Sequence, residues 1–561
     1  MEAATALADA CGDLPLTLDL PGADEARRDA AAARRQLHDY VIPRLRDADA
    51  PLLAVVGGST GAGKSTIVNS LVGAEVSKAG VLRPTTRSPV LVHHPDAVPW
   101  FEGDRILGSL ARVRGGAATT AGELELVADP AVPETIAILD APDVDSVVDA
   151  NRNLAAQLLS AADLWIFVTT AARYADAVPW TFLDSAATRG VHVAIVLNRV
   201  PAGAGDNVGG HLADMLQAGG LGAASVFTIE EQPLTDGRIP QAAMTPLHQW
   251  LGGLASDQQA RAEVVHRSLA GTVAELAATA NRLADAIERQ VEAVTWLARR
   301  AGESFDRARK LIGDDIRGGT VMRGEVLARW QDLVGTGKLV EQLQSTIGRV
   351  RDRLTAALTG KPQPTDRFRG AVSHGVELVV RERVAQAIDE TIGHWRRQPA
   401  GEALLAESRR GGVDLTQPAE ALDGRIERAV RDWQGAVVDL LRSQGAGKRR
   451  AARALSYGIN GLAAVLMVGV FAQTGGLTGA EVAIAGGSSA VGQRLLQALL
   501  GDQAVRNLTV QARNDLDRRI DEQLLAPEAQ RFTDAVAAHR VDGIARELRQ
   551  LGRDLSTAVH E

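Results

Sequence analysis

The sequence predicts an α/β domain, a mostly parallel sheet with helices on both faces, joined to a large all-α helical-bundle region. Three observations lead there. Between residues 51 and 252, short apolar runs alternate with helix-patterned stretches, the mark of strand–helix–strand units. From Leu269 an apolar stripe spaced four and three alternately runs for about four heptads. Aromatic residues are only 3% of the chain, so its cores rest on Ala, Val and Leu, which favours long helices over many-stranded β architectures.

Taken in order, residues 24–48 read as one Ala/Arg-rich helix striped by Leu37, Val41, Ile42 and Leu45, with Pro51 ending it. Strands are expected at Leu52–Val56, Val90–His93, Thr135–Leu139, Leu164–Val168 and Val191–Leu197, with Val226–Ile229 a weaker sixth. Helices are expected at Ser65–Val72, Ala150–Ala161 and Trp180–Thr188. The heptad seam then runs Val273, Leu276, Ala280, Leu283, Ile287, Val294 and Leu297, with Gln290 its one polar member. Helical pattern continues to about Ser443, broken at Gly318–Gly319, Gly335–Gly337 and Gly360–Asp366, and resumes from Gln503 to Val559. Trp165, Trp180, Trp296, Trp330, Trp395 and Trp433 are expected in cores or helix seams. The expected domains are a helical segment 1–50 packing on the bundle, the α/β domain 51–252, a bundle or stalk 253–447, a basic and Gly-rich apolar insert 448–500, and a returning helix 501–561.

Composition excludes several functions. The chain has 561 residues, 45% hydrophobic and 23% charged, in the range of folded rather than disordered proteins. With 69 acidic against 61 basic residues, net −8, nucleic acid is not an expected partner. Cys11 is the single cysteine, so neither an internal disulfide nor a Cys-rich zinc site is possible. His93-His94 has no Glu or Cys at ligand spacing, and loop histidines are the expected reading. Met1 to Leu20 lacks basic residues and a sustained apolar run, so a cytoplasmic location is expected.

Only six of the 61 basic residues are lysines, and one stands in a telling place. Gly58-Ser59-Thr60-Gly61-Ala62-Gly63-Lys64-Ser65 is G-x-x-x-x-G-K-S, placed after the strand LLAVV and, with Thr66, opening the helix STIVNSLVG. The glycines let backbone N–H groups turn inward around a phosphate. The helix N-terminus adds its positive end. Lys64 places an ammonium between β- and γ-phosphates, and the Ser65 hydroxyl ligates Mg²⁺. Downstream, Thr85 and Thr86 in Arg83-Pro84-Thr85-Thr86-Arg87 suit a mobile loop that ligates Mg²⁺ and senses the γ-phosphate. Asp140 ends the strand TIAIL as an outer-sphere Mg²⁺ partner. Val191–Leu197 runs into Asn198-Arg199-Val200-Pro201, where Asn198 and Arg199 are candidate base contacts.

Order and spacing of these segments resemble the G1 to G4 motifs of translation-factor-related GTPases: GSTGAGKS, RPTTR, DAPD for the usual DxPG, and NRVP for the usual NKxD. The resemblance implies a P-loop G domain, GTP as substrate and Mg²⁺ as cofactor. Asp143 replaces the switch glycine, and Pro201 replaces the carboxylate that reads guanine through a charge-assisted bidentate pair; ATP stays open. Val144 stands where many GTPases carry a water-orienting Gln, as in dynamin-like GTPases, which position water by other means. Of the polar P-loop pair that dynamins use, only Thr60 has a counterpart, and with Lys64 and Thr86 it completes the candidate catalytic set. Asp143 and Asp145 read as solvated loop carboxylates.

The long helices, the leading helix and the segments FAQTGGLTGAEVAIAGG, LDAPDVDS and LNRVP resemble bacterial dynamin-like proteins, more narrowly an actinobacterial family often loosely labelled transporters. No ABC signature of the LSGGQ kind occurs. Lys448, Arg449 and Arg450 precede an uncharged stretch, Ala454–Ala480, that includes Leu466 and Phe471. A basic cluster before a flexible apolar segment suits peripheral contact with the anionic inner face of a cell membrane; the competing expectation is a helix buried in the bundle. The whole reads as a slow GTPase whose nucleotide cycle reorients the helical region, acting at a membrane or on itself as an oligomer. The alternative is a nucleotide-gated scaffold, for GTP or ATP, with negligible turnover and a protein partner.

Overall fold

The computed structural model describes residues 1–47, 49–78, 88–103, 105–115, 122–146, 148–335, 364–445, 449–471, 496–497 and 500–560. By its internal contacts the chain divides into two compact units. The first comprises Met1–Leu16, Pro21–Arg289 and Val541–Glu561; the second comprises Thr17–Leu20 and Gln290–Arg540.

An eight-stranded sheet organises the first unit. Its strands are β1 (Leu52–Gly58), β2 (Val90–His93), β3 (Ala111–Arg114), β4 (Glu123–Ala128), β5 (Ile136–Asp140), β6 (Leu164–Thr170), β7 (His192–Val200) and β8 (Ser225–Glu230). Their order is β3-β4-β2-β5-β1-β6-β7-β8, and every pair is parallel except β2 with β5. β1, β5 and β6 are buried along their whole length, which is why they read as unbroken apolar runs. The six expected strands are all present, while β3 (ARVR) and β4 (ELELVA) are additions at one side of the sheet. The helices Lys64–Val72, Asp149–Ser160 and Ala177–Arg189 fall where the pattern put them.

The N-terminal segment differs in part from the expectation. Residues 1–16 and 21–50 fall in the unit that holds the sheet, and only Thr17–Leu20 fall with the helical bundle. The leading helix is interrupted: Ala23–Gln36 passes through a π-helical turn, Leu37–Val41, into Ile42–Arg46. The turn brings buried Asp39 to the sheet's helical layer, where the Ser109 hydroxyl and the Gln157 amide donate to it at 3.0 and 2.7 Å. The helix Ile544–His560 packs in the same unit against the first helix, Glu2–Gly12.

The helix Gln258–Arg317 carries the predicted heptad seam. Val273, Leu276, Ala280, Leu283 and Ile287 are all buried. Its opening turns dock tightly: Ser268 Oγ donates to Asp163 O at 3.1 Å, and a Cβ on Gly271 would lie 1.7 Å from the carbonyl oxygen of Arg189. Gly271→Ala therefore forces the two backbones apart and should cost about 1–3 kcal/mol, as overpacking does; a urea midpoint equal to wild type would refute the close approach.

In the second unit, Val294, Leu297, Phe305, Ile312 and Ile316 meet Trp330, Phe368, Trp395 and Trp433 in one core. The core helices include Glu325–Gly335, Pro364–Trp395, Pro399–Arg410, Leu422–Gly445, Asp502–Arg519 and Ala526–Ala537. Gln290, the polar seam residue, is fully buried and explained: it accepts from the N–H groups of Thr17 and Leu18 at 3.0 and 3.1 Å and donates to His539 O at 3.3 Å. It thus ties the short Thr17–Leu20 segment into the bundle, and an apolar residue there would remove the acceptor that both N–H groups share.

The helix Arg449–Phe471 corrects two expected membrane contacts. Leu466 and Phe471 are 1% and 0% exposed, inside the bundle core, with Phe471 edge-on to Trp433. Its small apolar residues fill the bundle core rather than a surface. Arg449 and Arg450 open that helix; Lys448 lies outside the described residues. Among the described residues no helix is long and apolar enough to cross a membrane. Of the six tryptophans expected in cores or seams, four are fully buried, and Trp180 and Trp296 are half-buried.

Candidate functional site

The parallel pairing brings the carboxyl ends of four strands to one edge. Val56 is level with Asp140, Gly58 with Val168, and Thr170 with Asn198. The loop Ser59–Gly63, the segment after Asp140, the turn after Thr170 and Asn198 therefore converge beside the amino end of the helix Lys64–Val72. In open α/β sheets this is where ligands bind.

Gly58 is the last residue of β1, with φ of 145°, and a Cβ there would stand 2.0 Å from Val168 O. Only glycine permits so close an approach to β6. The chain then turns and enters the helix at Lys64, whose ammonium folds back into the loop. It donates to Gly58 O and Ser59 O, each at 3.1 Å, and pairs with the Asp143 carboxylate.

The Ser65 hydroxyl donates to Asp140 Oδ2 at 2.6 Å, and the Ser77 hydroxyl donates to the same oxygen at 2.6 Å. Asp140 is fully buried, and its other oxygen, Oδ1, has no hydrogen-bond partner among the described residues. Burial pushes its pKa up, against the pull of Ser65, Ser77 and Lys64. A buried carboxylate with an orphaned oxygen beside a serine hydroxyl is a poor resting arrangement and a good one for a hard divalent cation, which takes oxygen ligands. These residues fit Mg²⁺.

A third cluster was not legible as such. Asp145 Oδ1 accepts from both the N–H and the hydroxyl of Thr60, at 2.6 and 2.7 Å, and Asp145 Oδ2 accepts from Arg173 at 2.8 Å. Arg173 also donates to Thr60 O at 2.9 Å and to Asp176 at 2.9 Å. Burial works to raise the Asp145 pKa, but the Thr60 bonds and the Arg173 charge outweigh it and hold the carboxyl below its usual range. Asp143 and Asp145 are therefore not solvated loop residues: Asp143 is paired with Lys64 and Asp145 is bound to Thr60. The Thr60 hydroxyl, expected to help position water, is committed to Asp145. Val144, between the two carboxylates, is buried, and its N–H donates to Gly58 O at 3.3 Å.

Asn198 is buried with its amide donating to Ala62 O at 2.9 Å and its side-chain oxygen accepting from Arg199 N at 2.9 Å. It braces the phosphate loop from β7. Arg199 adopts φ of 52°, uncommon for a non-glycine residue, at a register shift between Leu197 and Val200. This turns the chain so that Asn198 is buried and Arg199 exposed. The structure thus brings Gly58 to Thr66, Asp140, Asn198 and Arg199 to one edge. Thr85 and Thr86 lie outside the described residues, as do Arg83 and Arg87. Arg173 escaped sequence reasoning because it sits in a turn, AARYAD, that carries no motif.

No family model and no curated protein sequence matches this chain. Among solved structures it is similar to two chains of an oligomerised bacterial dynamin pair described as sensing and tethering membranes. One is 10% identical at a TM-score of 0.42, covering 100% of this chain and 95% of that one. The other is 10% identical at 0.40, covering 93% and 92%. It is also similar to LeoA, a bacterial dynamin GTPase from ETEC, 12% identical at 0.23, covering 100% and 97%. At such identities and scores the likeness carries no function with it.

Proposed function

We propose that this protein is a Mg²⁺-dependent, dynamin-like P-loop GTPase of slow intrinsic turnover. The observation that carries the nucleotide reading is the convergence of Lys64, Ser65 and the half-satisfied Asp140 around one backbone loop at the sheet's carboxyl edge. Lys64 would neutralise charge between the β- and γ-phosphates, the N–H groups of Gly58 to Thr66 would bind phosphate oxygens, and Asn198 would hold the loop's shape and meet the base. Mg²⁺, held by Ser65 with Asp140 behind it, would spread the charge that develops on the phosphates. Thr85 and Thr86 would complete the metal shell. GTP rather than ATP follows from the resemblance of NRVP to NKxD, with Asn198 its one matching residue.

In this reading the cycle in the domain 51–252 reorients the helical region, with self-association through the nucleotide domain or the stalk. Residues 448–500 would be the segment that meets an anionic membrane. The test is turnover of GTP and of ATP, with Mg²⁺ or EDTA, with and without anionic liposomes. The expected result is slow GTP hydrolysis, lost in EDTA and raised by liposomes.

A second reading, a nucleotide-gated scaffold, is favoured by one observation. Val144 is buried and the Thr60 hydroxyl is committed to Asp145, so neither is placed to orient water. Tight GTP or ATP binding with no turnover under any of these conditions would select it.

A further inference from the structure

The ammonium of Lys64 has three N–H donors, and all three are taken: by Gly58 O, by Ser59 O and by the Asp143 carboxylate. No donor remains for a phosphate, so one acceptor must leave when a nucleotide arrives. Two of the three cannot leave cheaply. Gly58 O and Ser59 O are backbone atoms, of the last residue of β1 and the one after it, and Gly58 O also receives the Val144 N–H, 3.3 Å away. Asp143 is different: it is a side chain on a connecting segment, 20% exposed where Lys64 is 5% exposed, and rotation returns its carboxylate to water.

We propose, resting on the nucleotide reading above, that Asp143 is a built-in occupant of the terminal-phosphate position, which a nucleoside triphosphate must expel before Lys64 engages it. The charge matches, since a carboxylate on Lys64 neutralises the ammonium as a phosphate oxygen would. The neighbouring contacts suit a latch. Two residues on, Asp145 holds the same segment to Thr60 and Arg173, so expulsion of Asp143 pulls on a strand of chain already tied to the phosphate loop. Nucleotide arrival is thereby read by the segment Ala141–Ser146. A glycine at position 143 would have no side chain to expel.

Calorimetry of GTP and GDP with Mg²⁺, on wild type, Asp143→Asn and Asp143→Ala, tests this. Asp143→Asn keeps the shape and removes the charge, and a thermal scan of each variant confirms that it is folded. The expected result is GTP bound roughly tenfold tighter by both variants, one decade in Kd, with GDP changed much less. If wild type binds GTP and both folded variants bind it no tighter, Asp143 is not a competitor, and the proposal falls while the nucleotide reading stands. Equal tightening for GTP and GDP overturns the assignment to the terminal phosphate. If neither wild type nor variants bind GTP or ATP at all, the nucleotide reading fails first and takes the proposal with it.

Discussion

Lys64→Ala should cripple nucleotide binding. The ammonium is the one cation inside the loop among the described residues, buried at the point where backbone N–H groups can supply only neutral donors. Charge-assisted hydrogen bonds contribute about 1.5–3 kcal/mol each. Losing the one donor that Asp143 releases to the phosphates removes about 1.5–3 kcal/mol, or roughly 10–10²-fold in Kd. Folding should suffer much less, because the abandoned Asp143 is partly exposed and can turn to water, while the Gly58 carbonyl keeps the Val144 N–H. The variant should therefore melt near wild type and bind GTP at least tenfold more weakly in calorimetry. Unchanged GTP affinity in a folded Lys64→Ala protein would remove the basis of the functional reading.

How much of this was readable beforehand differs from element to element for physical reasons. β1 and the phosphate loop are local: an apolar run, glycines and a helix start lie within fifteen or so residues, so their pattern survives in one dimension. The same holds for the heptad seam from Val273 to Leu297. β3 and β4 were missed because a strand at the side of a sheet is only half buried. ARVR and ELELVA alternate over too few residues to stand out from polar loop sequence. The antiparallel step between β2 and β5 is a pairing between distant segments and leaves no local trace. Asp145 and Arg173 show the same limit at the site, since they meet across 28 positions of sequence through Thr60. The apolar run Leu462–Phe471 has one composition that serves a membrane or a bundle core equally, and only packing against Trp433 and its neighbours decides that it is core here.

Arg44→Met should be the most destabilising single change away from the site. Arg44 and Asp163 form an ion pair at 5% and 0% side-chain exposure. Arg44 also donates to Ala50 O and Pro51 O, each at 2.8 Å, and Asp163 accepts from Leu53 N at 2.8 Å, so the pair pins the N-terminal helix to the start of β1 and β6. Methionine keeps the apolar stem but leaves a fully buried carboxylate with no cation, and breaking a buried pair from one side costs about 3–5 kcal/mol. The expected readout is a large fall in the urea midpoint of the first unit. Arg44→Met with Asp163→Asn should recover much of the loss, because asparagine removes the stranded charge while its amide oxygen still accepts from Leu53. Failure of the double variant to recover would mean that Arg44 acts through its bonds to Ala50 and Pro51 rather than by neutralising Asp163.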